Sequence, residues 1–189
     1  MPPGSVCVAE DHLNVVAHGV GVRRLVTPAI QIVRLRGHDD ALLSGLCQAL
    51  DIVLPRTTNH AAGEAPRALV LAPGEWMLVS RPLDRGAFHN AARGTRVAHL
   101  ADVGAGLVVY AVEGRRARDL IAKGCPLDLH PRVFGEGRCA QSSLAQIFVI
   151  IDRVPGQDVF HVYADASYAR HLDLWFEDAA IEFRSQDVD

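Results

Sequence analysis

The order of predicted elements recurs when the sequence is shifted by 77 positions, and this recurrence constrains the fold more than any single motif. Leu43 falls on Leu120, and in each copy a strand precedes the helix that carries the matched leucine. A Pro-Gly turn then joins two further strands, and another helix follows. The recurrence predicts one α+β domain of two pseudo-repeated β-α-β-hairpin-α halves, at about residues 28–94 and 107–183. Mixed sheets with helices on their outer faces would follow.

The individual elements are predicted from apolar periodicity and turn residues. The predicted strands are 29–36, 68–72, 75–80, 97–100, 107–112, 146–153 and 158–164. The predicted helices are 39–50, 83–92, one that ends at Gly124, and 167–180, whose apolar face includes Tyr168. Residues 54–67 are rich in proline and small polar residues and are predicted to be an exposed connection. Chance agreement between two strand-helix-strand units is the alternative to a true repeat, because few residues are identical.

The N-terminal segment is predicted to be an arm ahead of a single domain. Residues 1–27 begin with Pro-Pro-Gly-Ser and lack sustained periodicity, so the domain is placed at residues 28–189. Gly19-x-Gly21 does not complete a dinucleotide-binding motif, because Arg24 occupies the position of the third glycine. We therefore expect no cofactor loop in this segment.

Charge and hydropathy exclude two classes of partner. The chain has 189 residues, with 19 basic and 22 acidic side chains and a formal net charge of −3. Nucleic-acid binding requires a basic surface that this balance does not favour. Apolar runs such as 148–151 are far too short to cross a bilayer. We expect a cytoplasmic protein that binds neither nucleic acid nor membrane.

Cysteines and histidines do not indicate a metal site. Cys7, Cys47, Cys125 and Cys139 lack the short paired spacing of zinc ligands, and the nine histidines are scattered along the chain. Free thiols in a reducing compartment are expected.

The densest motif lies between Leu120 and Ala145. Gly124 is predicted to end the preceding helix in the left-handed conformation that glycine enters most easily. The run AKGCPLDLHPRVF at 122–134, followed by GRCAQ at 137–141, resembles the gamma subunit of heterotetrameric sarcosine oxidase. The likeness is strongest here and extends over about 69–183. It implies a fold similar to the folate-binding domain of the glycine-cleavage aminomethyltransferase, the T-protein.

The resemblance also implies a function. Gamma subunits are non-catalytic partners that assemble mainly with the alpha subunit, beside beta and delta subunits. The whole complex oxidises sarcosine or a related N-methyl amino acid. FAD, FMN, NAD and tetrahydrofolate are expected on the partner subunits, and no catalytic residue or cofactor is expected on this chain.

Two thiols are nevertheless candidates for chemistry. Cys125 lies at a helix C-terminus, where the helix dipole disfavours a thiolate, so we expect a structural thiol rather than a nucleophile paired with His130. Cys139 adjoins Arg138, and a nearby guanidinium lowers a thiol pKa. The segment also faintly resembles the K-G-C-Y-x-G-Q-E signature of folate-dependent iron–sulfur maintenance proteins. Its tyrosine and glutamate are absent here.

An interface is the favoured role for the loop after this helix, because arginines and aromatic residues often anchor interfaces. Val133 and Phe134 are expected to be exposed. For each polar residue the alternative is local: Asp128 would cap a turn, and the arginines would pair with glutamates or face solvent. The interface candidates are His130, Arg132, Val133, Phe134, Arg138 and Gln141.

A stand-alone folate-binding or aminomethyltransferase-like protein is the alternative function. In aminomethyltransferases a carboxylate near the folate cleft makes the key contact, which directs attention to Asp102. The residues around it, Asp102-Val-Gly-Ala, match only the turn of the gamma family, so we do not expect Asp102 to bind folate. An iron–sulfur accessory protein of the same fold is a third candidate.

Overall fold

The chain folds into four layers in which two β-sheets face each other and helices cover the outer face of each sheet. A computed structural model describes residues 13–25, 29–35, 40–80, 82–93, 98–156 and 158–184. Cys7, residue 36 at the end of the first predicted strand and residue 39 at the start of the first predicted helix lie outside these ranges. The architecture confirms the predicted α+β class.

Most predicted elements are present within a few residues of their expected bounds. The strands are β1 (Asn14–Ala17), β2 (Val20–Leu25), β3 (Ala29–Leu35), β4 (Ala61–Ala62), β5 (Arg67–Ala72), β6 (Glu75–Ser80), β7 (Ala98–Asp102), β8 (Leu107–Glu113), β9 (Cys139–Leu144), β10 (Ile147–Val154) and β11 (Val159–Asp165). The helices are α1 (Asp40–Leu50), α2 (Arg85–Ala91), α3 (Ala117–Ala122), α4 (Ala169–Ala179) and α5 (Ile181–Arg184). Short 3-10 turns lie at Gly104–Gly106 and Ala166–Tyr168.

The strands form two sheets. The six-stranded sheet runs β1-β2-β8-β11-β10-β9, and the five-stranded sheet runs β4-β5-β6-β3-β7. The pairings between these strands are antiparallel. Helices α1 and α3 begin 77 residues apart, at Asp40 and Ala117, and Leu43 and Leu120 are both buried. The pseudo-twofold relation between the halves stays a prediction.

Side chains alternate along the strands between an inner core and two outer cores. On β10, Val149 and Ile151 pack with α3 and α4 in one outer core, whereas Ile150 faces the opposite sheet. The second outer core joins α1 and α2 to the five-stranded sheet. The inner core between the sheets consists of Ile30, Ala61, Leu69, Met77, Val79, Val109, Cys139, Ile150 and Tyr163.

The predicted N-terminal arm is wrong for residues 14–25. Strands β1 and β2 form a hairpin that pairs with β8, with Val22 opposite Val112. Val15, Val20 and Val22 are buried in the outer core of the six-stranded sheet. The strands are short and contain four valines, of which Val16 is exposed, so the sequence shows little periodicity. The rest of segment 1–27 lies largely outside the described residues.

Gly124 does not adopt the predicted left-handed conformation. Close packing instead accounts for a glycine here, since a Cβ would lie 2.6 Å from Cζ2 of Trp175 and 3.1 Å from the backbone nitrogen of Ala145. The prediction for Tyr168 is also wrong, because this residue is exposed in the 3-10 turn before α4. The buried face of α4 begins only at Leu172.

The predicted connection 54–67 includes the strand that joins the two sheets. The nitrogen of Ala61 donates to the oxygen of Gly137 at 2.8 Å, and the nitrogen of Cys139 donates to the oxygen of Asn59 at 3.1 Å. These bonds lie where the edge strands β4 and β9 meet. We call this line of contact between residues 59–61 and 137–139 the seam, and the 126–138 loop leads into it.

Candidate functional site

The centre of the predicted interface is a single helical turn at residues 130–133. The oxygen of His130 accepts hydrogen bonds from the nitrogens of Val133 and Phe134, both at 2.8 Å. Asp128 caps the approach to the turn, because its carboxylate accepts a hydrogen bond from the nitrogen of His130 at 2.9 Å. His130, Arg132 and Val133 are exposed, and Val133 has 52% of its surface accessible. Three of the predicted interface residues therefore share one compact surface.

Phe134 is not exposed, contrary to the prediction. Only 3% of its surface is accessible, and its ring stacks on Phe160 with centroids 6.4 Å apart and an interplanar angle of 16°. Leu129, on the other side of the turn, is also buried in this outer core. The turn therefore projects between two buried anchors, and Phe134 fixes it to the domain instead of offering a contact surface.

Arg118 of α3 reaches across the base of the turn. Its Nη1 donates to the oxygen of Phe134 at 3.1 Å and also to the oxygen of Leu129. Its Nη2 lies 3.0 Å from the carboxylate of Asp158, and the guanidinium carbon is 5.0 Å from the ring centroid of Phe160. One planar cation thus binds the carbonyls that precede and follow the turn.

Arg138 and Gln141 lie at the seam between the sheets and have partners in the opposite sheet or its connection. Nη1 of Arg138 is 3.0 Å from Nε2 of His60, and Nε2 of Gln141 donates to the oxygen of Leu71 at 2.8 Å. Arg138 is half-buried, whereas Gln141 remains exposed. The structure does not place either residue in the 130–133 turn.

The two candidate thiols are buried. Cys125 has its sulfur 3.5 Å from the hydroxyl of Ser142, while Nδ1 of His130 accepts a hydrogen bond from the nitrogen of Arg132. Cys139 donates to the oxygen of His60 at 3.3 Å. Burial raises the pKa of Cys139 to about 12 and outweighs the opposing effect of Arg138, so the neighbouring arginine does not favour the thiolate.

A buried ion pair between the sheets was not foreseen from the sequence. Nε and Nη2 of Arg67, on β5, bind the two carboxylate oxygens of Asp152, on β10, at 2.6 and 2.8 Å. Burial acts to lower the pKa of Arg67, but the hydrogen bond and charge of Asp152 outweigh it and raise that pKa. His161, opposite Asp152 on β11, has a pKa lowered mainly by burial. Partners 85 residues apart leave no local signal in the sequence.

Comparison with known proteins identifies the family. A model described as the sarcosine oxidase, gamma subunit family matches residues 34–182. The chain belongs to the sarcosine oxidase gamma subunit family. Sarcosine oxidase subunit gamma of Corynebacterium sp. (strain U-96) is 32% identical over 151 residues, which covers 77% of this chain and 72% of that protein. The corresponding subunit of Arthrobacter sp. is 32% identical over 149 residues, with the same coverage.

Solved structures agree with membership of the gamma subunit family. A chain of heterotetrameric sarcosine oxidase from Corynebacterium sp. U-96, in complex with pyrrole 2-carboxylate, superposes with a TM-score of 0.79 at 27% identity, covering 93% of this chain and 90% of that chain. The glycine cleavage system aminomethyltransferase T from Bartonella henselae gives a TM-score of 0.57 at 17% identity, covering 85% of this chain and 46% of that chain. The second likeness establishes a shared fold, as the resemblance implied.

The carboxylate of Asp102 has hydrogen-bond and ion-pair partners within the chain. Its Oδ1 accepts a hydrogen bond from Nε2 of Gln31 at 2.5 Å, and its Oδ2 pairs with Arg85. These two contacts, the first being the stronger, lower the pKa of Asp102. Both carboxylate oxygens of Asp102 therefore have partners on the same chain.

The described residues contain neither a cluster of metal ligands nor a membrane-spanning helix. Within the described ranges, His, Cys, Asp and Glu side chains do not form a group of three or more that could hold a metal ion. Over the same part of the chain, no helix is long and apolar enough to cross a bilayer.

Proposed function

We propose that this chain is a non-catalytic gamma-type subunit of a heterotetrameric sarcosine oxidase. The observation that carries the proposal is the match over 93% of this chain and 90% of a chain from that assembled enzyme. Agreement over most of both chains is expected when two chains are the same subunit of related complexes. The whole complex oxidises sarcosine or a related N-methyl amino acid.

The cofactors of that reaction, FAD, FMN, NAD and tetrahydrofolate, are held by the partner alpha, beta and delta subunits. Two features of this chain support that division of labour. The thiols of Cys125 and Cys139 are buried, and Asp102 is engaged by its own chain. The complex works in the cytoplasm, which fits the free thiols of the described cysteines.

The surface that meets the alpha-type subunit is the docking turn, defined as residues 130–133. It combines an exposed apolar side chain, Val133, with the cation of Arg132 and the imidazole of His130. Arg138 and Gln141 extend this surface along the seam. Interfaces commonly combine an apolar contact with arginine at the border, and the fixed backbone of the turn limits the entropy lost on binding.

Charge reversal of Arg132 tests this assignment. We expect Arg132→Glu to reduce co-purification with a tagged alpha-type subunit by at least about tenfold, because a rim cation is replaced by a repelling anion. Arg170→Glu, an exposed arginine on α4, is the matched control and should leave recovery unchanged. Full recovery of the complex with Arg132→Glu would remove the docking turn from the interface.

Equilibrium dialysis of the isolated chain with tetrahydrofolate distinguishes the alternative, a stand-alone folate-binding protein. A gamma-type subunit is expected to show no specific binding of tetrahydrofolate. Saturable binding with one site per chain would favour the folate-binding alternative. Loss of that binding in Asp102→Asn would then locate the ligand.

A further inference from the structure

We infer that Arg118 is a positioning residue that gives the docking turn its binding shape before any partner arrives. The inference rests on the proposed function for the purpose of the turn, but its physical basis is independent of it. Arg118 itself is mostly buried, with 15% of its side chain accessible, and so is poorly placed to contact a partner. Its effect on assembly would be transmitted through the backbone of the turn.

The geometry requires an arginine at this position. The carbonyl oxygens of Leu129 and Phe134 flank the turn and belong to buried residues, and both accept hydrogen bonds from Arg118. The guanidinium of Arg118 supplies both from one side while Asp158 holds it from another. A planar fork with several donors can do this at once, whereas a lysine ammonium cannot match the fork.

Two aromatic contacts fix the position of Arg118 relative to the outer core of the six-stranded sheet. The guanidinium lies over the ring of Phe160, and that ring also stacks on Phe134. Movement of Arg118 would therefore disturb the hydrogen bond to the oxygen of Phe134. It would also disturb the ring of Phe160, on which the side chain of Phe134 stacks. Preorganisation of this kind raises affinity by removing the cost of ordering the loop at the moment of binding.

Hydrogen exchange in the full chain tests the positioning role of Arg118 without reference to activity. The amides of Val133 and Phe134 report opening of the turn, because both donate to His130. We expect Arg118→Leu to speed their exchange by at least about tenfold and Arg118→Lys to restore part of the protection, since one ammonium can still bind one carbonyl. Amides of β8, which is paired on both sides, serve as the reference for global unfolding. Arg132→Glu should leave exchange of the turn unchanged.

Assembly with the other subunits then tests the consequence. Arg118→Leu is expected to weaken recovery of the complex several-fold, with Arg118→Lys intermediate. Unchanged exchange in Arg118→Leu and Arg118→Lys would overturn the inference and leave the proposed function standing. Faster exchange with normal assembly, while Arg132→Glu assembles poorly, would also overturn it, because the shape of the turn would then not matter. Normal assembly of Arg132→Glu would instead refute the docking role of the turn.

Discussion

Removing the carboxylate of Asp152 tests whether a buried ion pair holds the two sheets together. Asp152 is fully buried, and Arg67 binds both of its oxygens. At an effective dielectric constant of about 20, two unit charges about 4 Å apart attract by about 4 kcal/mol. Asp152→Ala removes that attraction and leaves the Arg67 cation, whose side chain is only 9% accessible, without its carboxylate.

The remaining hydrogen-bond partners of Arg67 limit how much the free energy of unfolding should fall. Removing one member of a buried pair usually costs about 3–5 kcal/mol. Arg67 also donates to the oxygens of Gly63 and Arg153, both at 3.3 Å, so its charge keeps two weaker contacts. We therefore expect Asp152→Ala to lower the free energy of unfolding by about 3–4 kcal/mol. For a domain of this size the melting temperature should fall by about 10 °C.

Urea and thermal denaturation followed by circular dichroism measure this loss. Arg56→Ala is the control, because the Arg56–Asp40 pair is exposed and should contribute less than about 1 kcal/mol. A double variant, Arg67→Met with Asp152→Leu, should recover most of the loss, since no charge is then buried alone. A loss below about 1 kcal/mol in Asp152→Ala, or a double variant less stable than the single one, would refute the reasoning.

Three further substitutions probe other parts of the domain. Gly124→Ala should lower the free energy of unfolding by about 1–3 kcal/mol, because the new Cβ would overlap Trp175; an unchanged urea midpoint, followed by tryptophan fluorescence, would contradict the packing. Phe134→Ala should cost about 3–5 kcal/mol in the same assay, whereas an exposed phenylalanine would cost almost nothing. Burial lowers the pKa of His161 below its ordinary 6.5, so the unfolded chain binds more protons and stability should fall as the pH drops below that value. Thermal melts at about pH 7.5 and 5.5 should show a smaller fall for His161→Gln than for the unmodified chain, and equal falls would contradict this.

Local periodicity was sufficient to predict most of the second half of the fold. Strands β10 and β11 have continuous or alternating apolar residues around the Pro155-Gly156 turn, and they were found within one or two residues of their expected bounds. Strand β9 was missed because Gln141, Ser142 and Ser143 carry no strand signal. Its position is set by pairing with β10, which is a tertiary effect.

The candidate site was predicted in place but not in detail. The motif located the 130–133 turn, and Asp128 caps it as the local alternative suggested. Exposure of Phe134 could not be judged, because a single apolar residue in a loop has no periodicity to assign its face. Arg118 was missed for a related reason: its acceptors are backbone carbonyls, and a carbonyl leaves no trace in residue identity.

The interleaving of the two sheets has a consequence for how the chain can be divided. The six-stranded sheet takes β1 and β2 from the beginning of the chain and its other strands from residues after 106, while the five-stranded sheet comes from the segment between them. A cut between residues 93 and 98 would therefore separate β8 from the hairpin that covers its edge and leave the inner core of both fragments open to water. Neither fragment should be soluble alone, whereas mixing the two from denaturant should regenerate a folded complex.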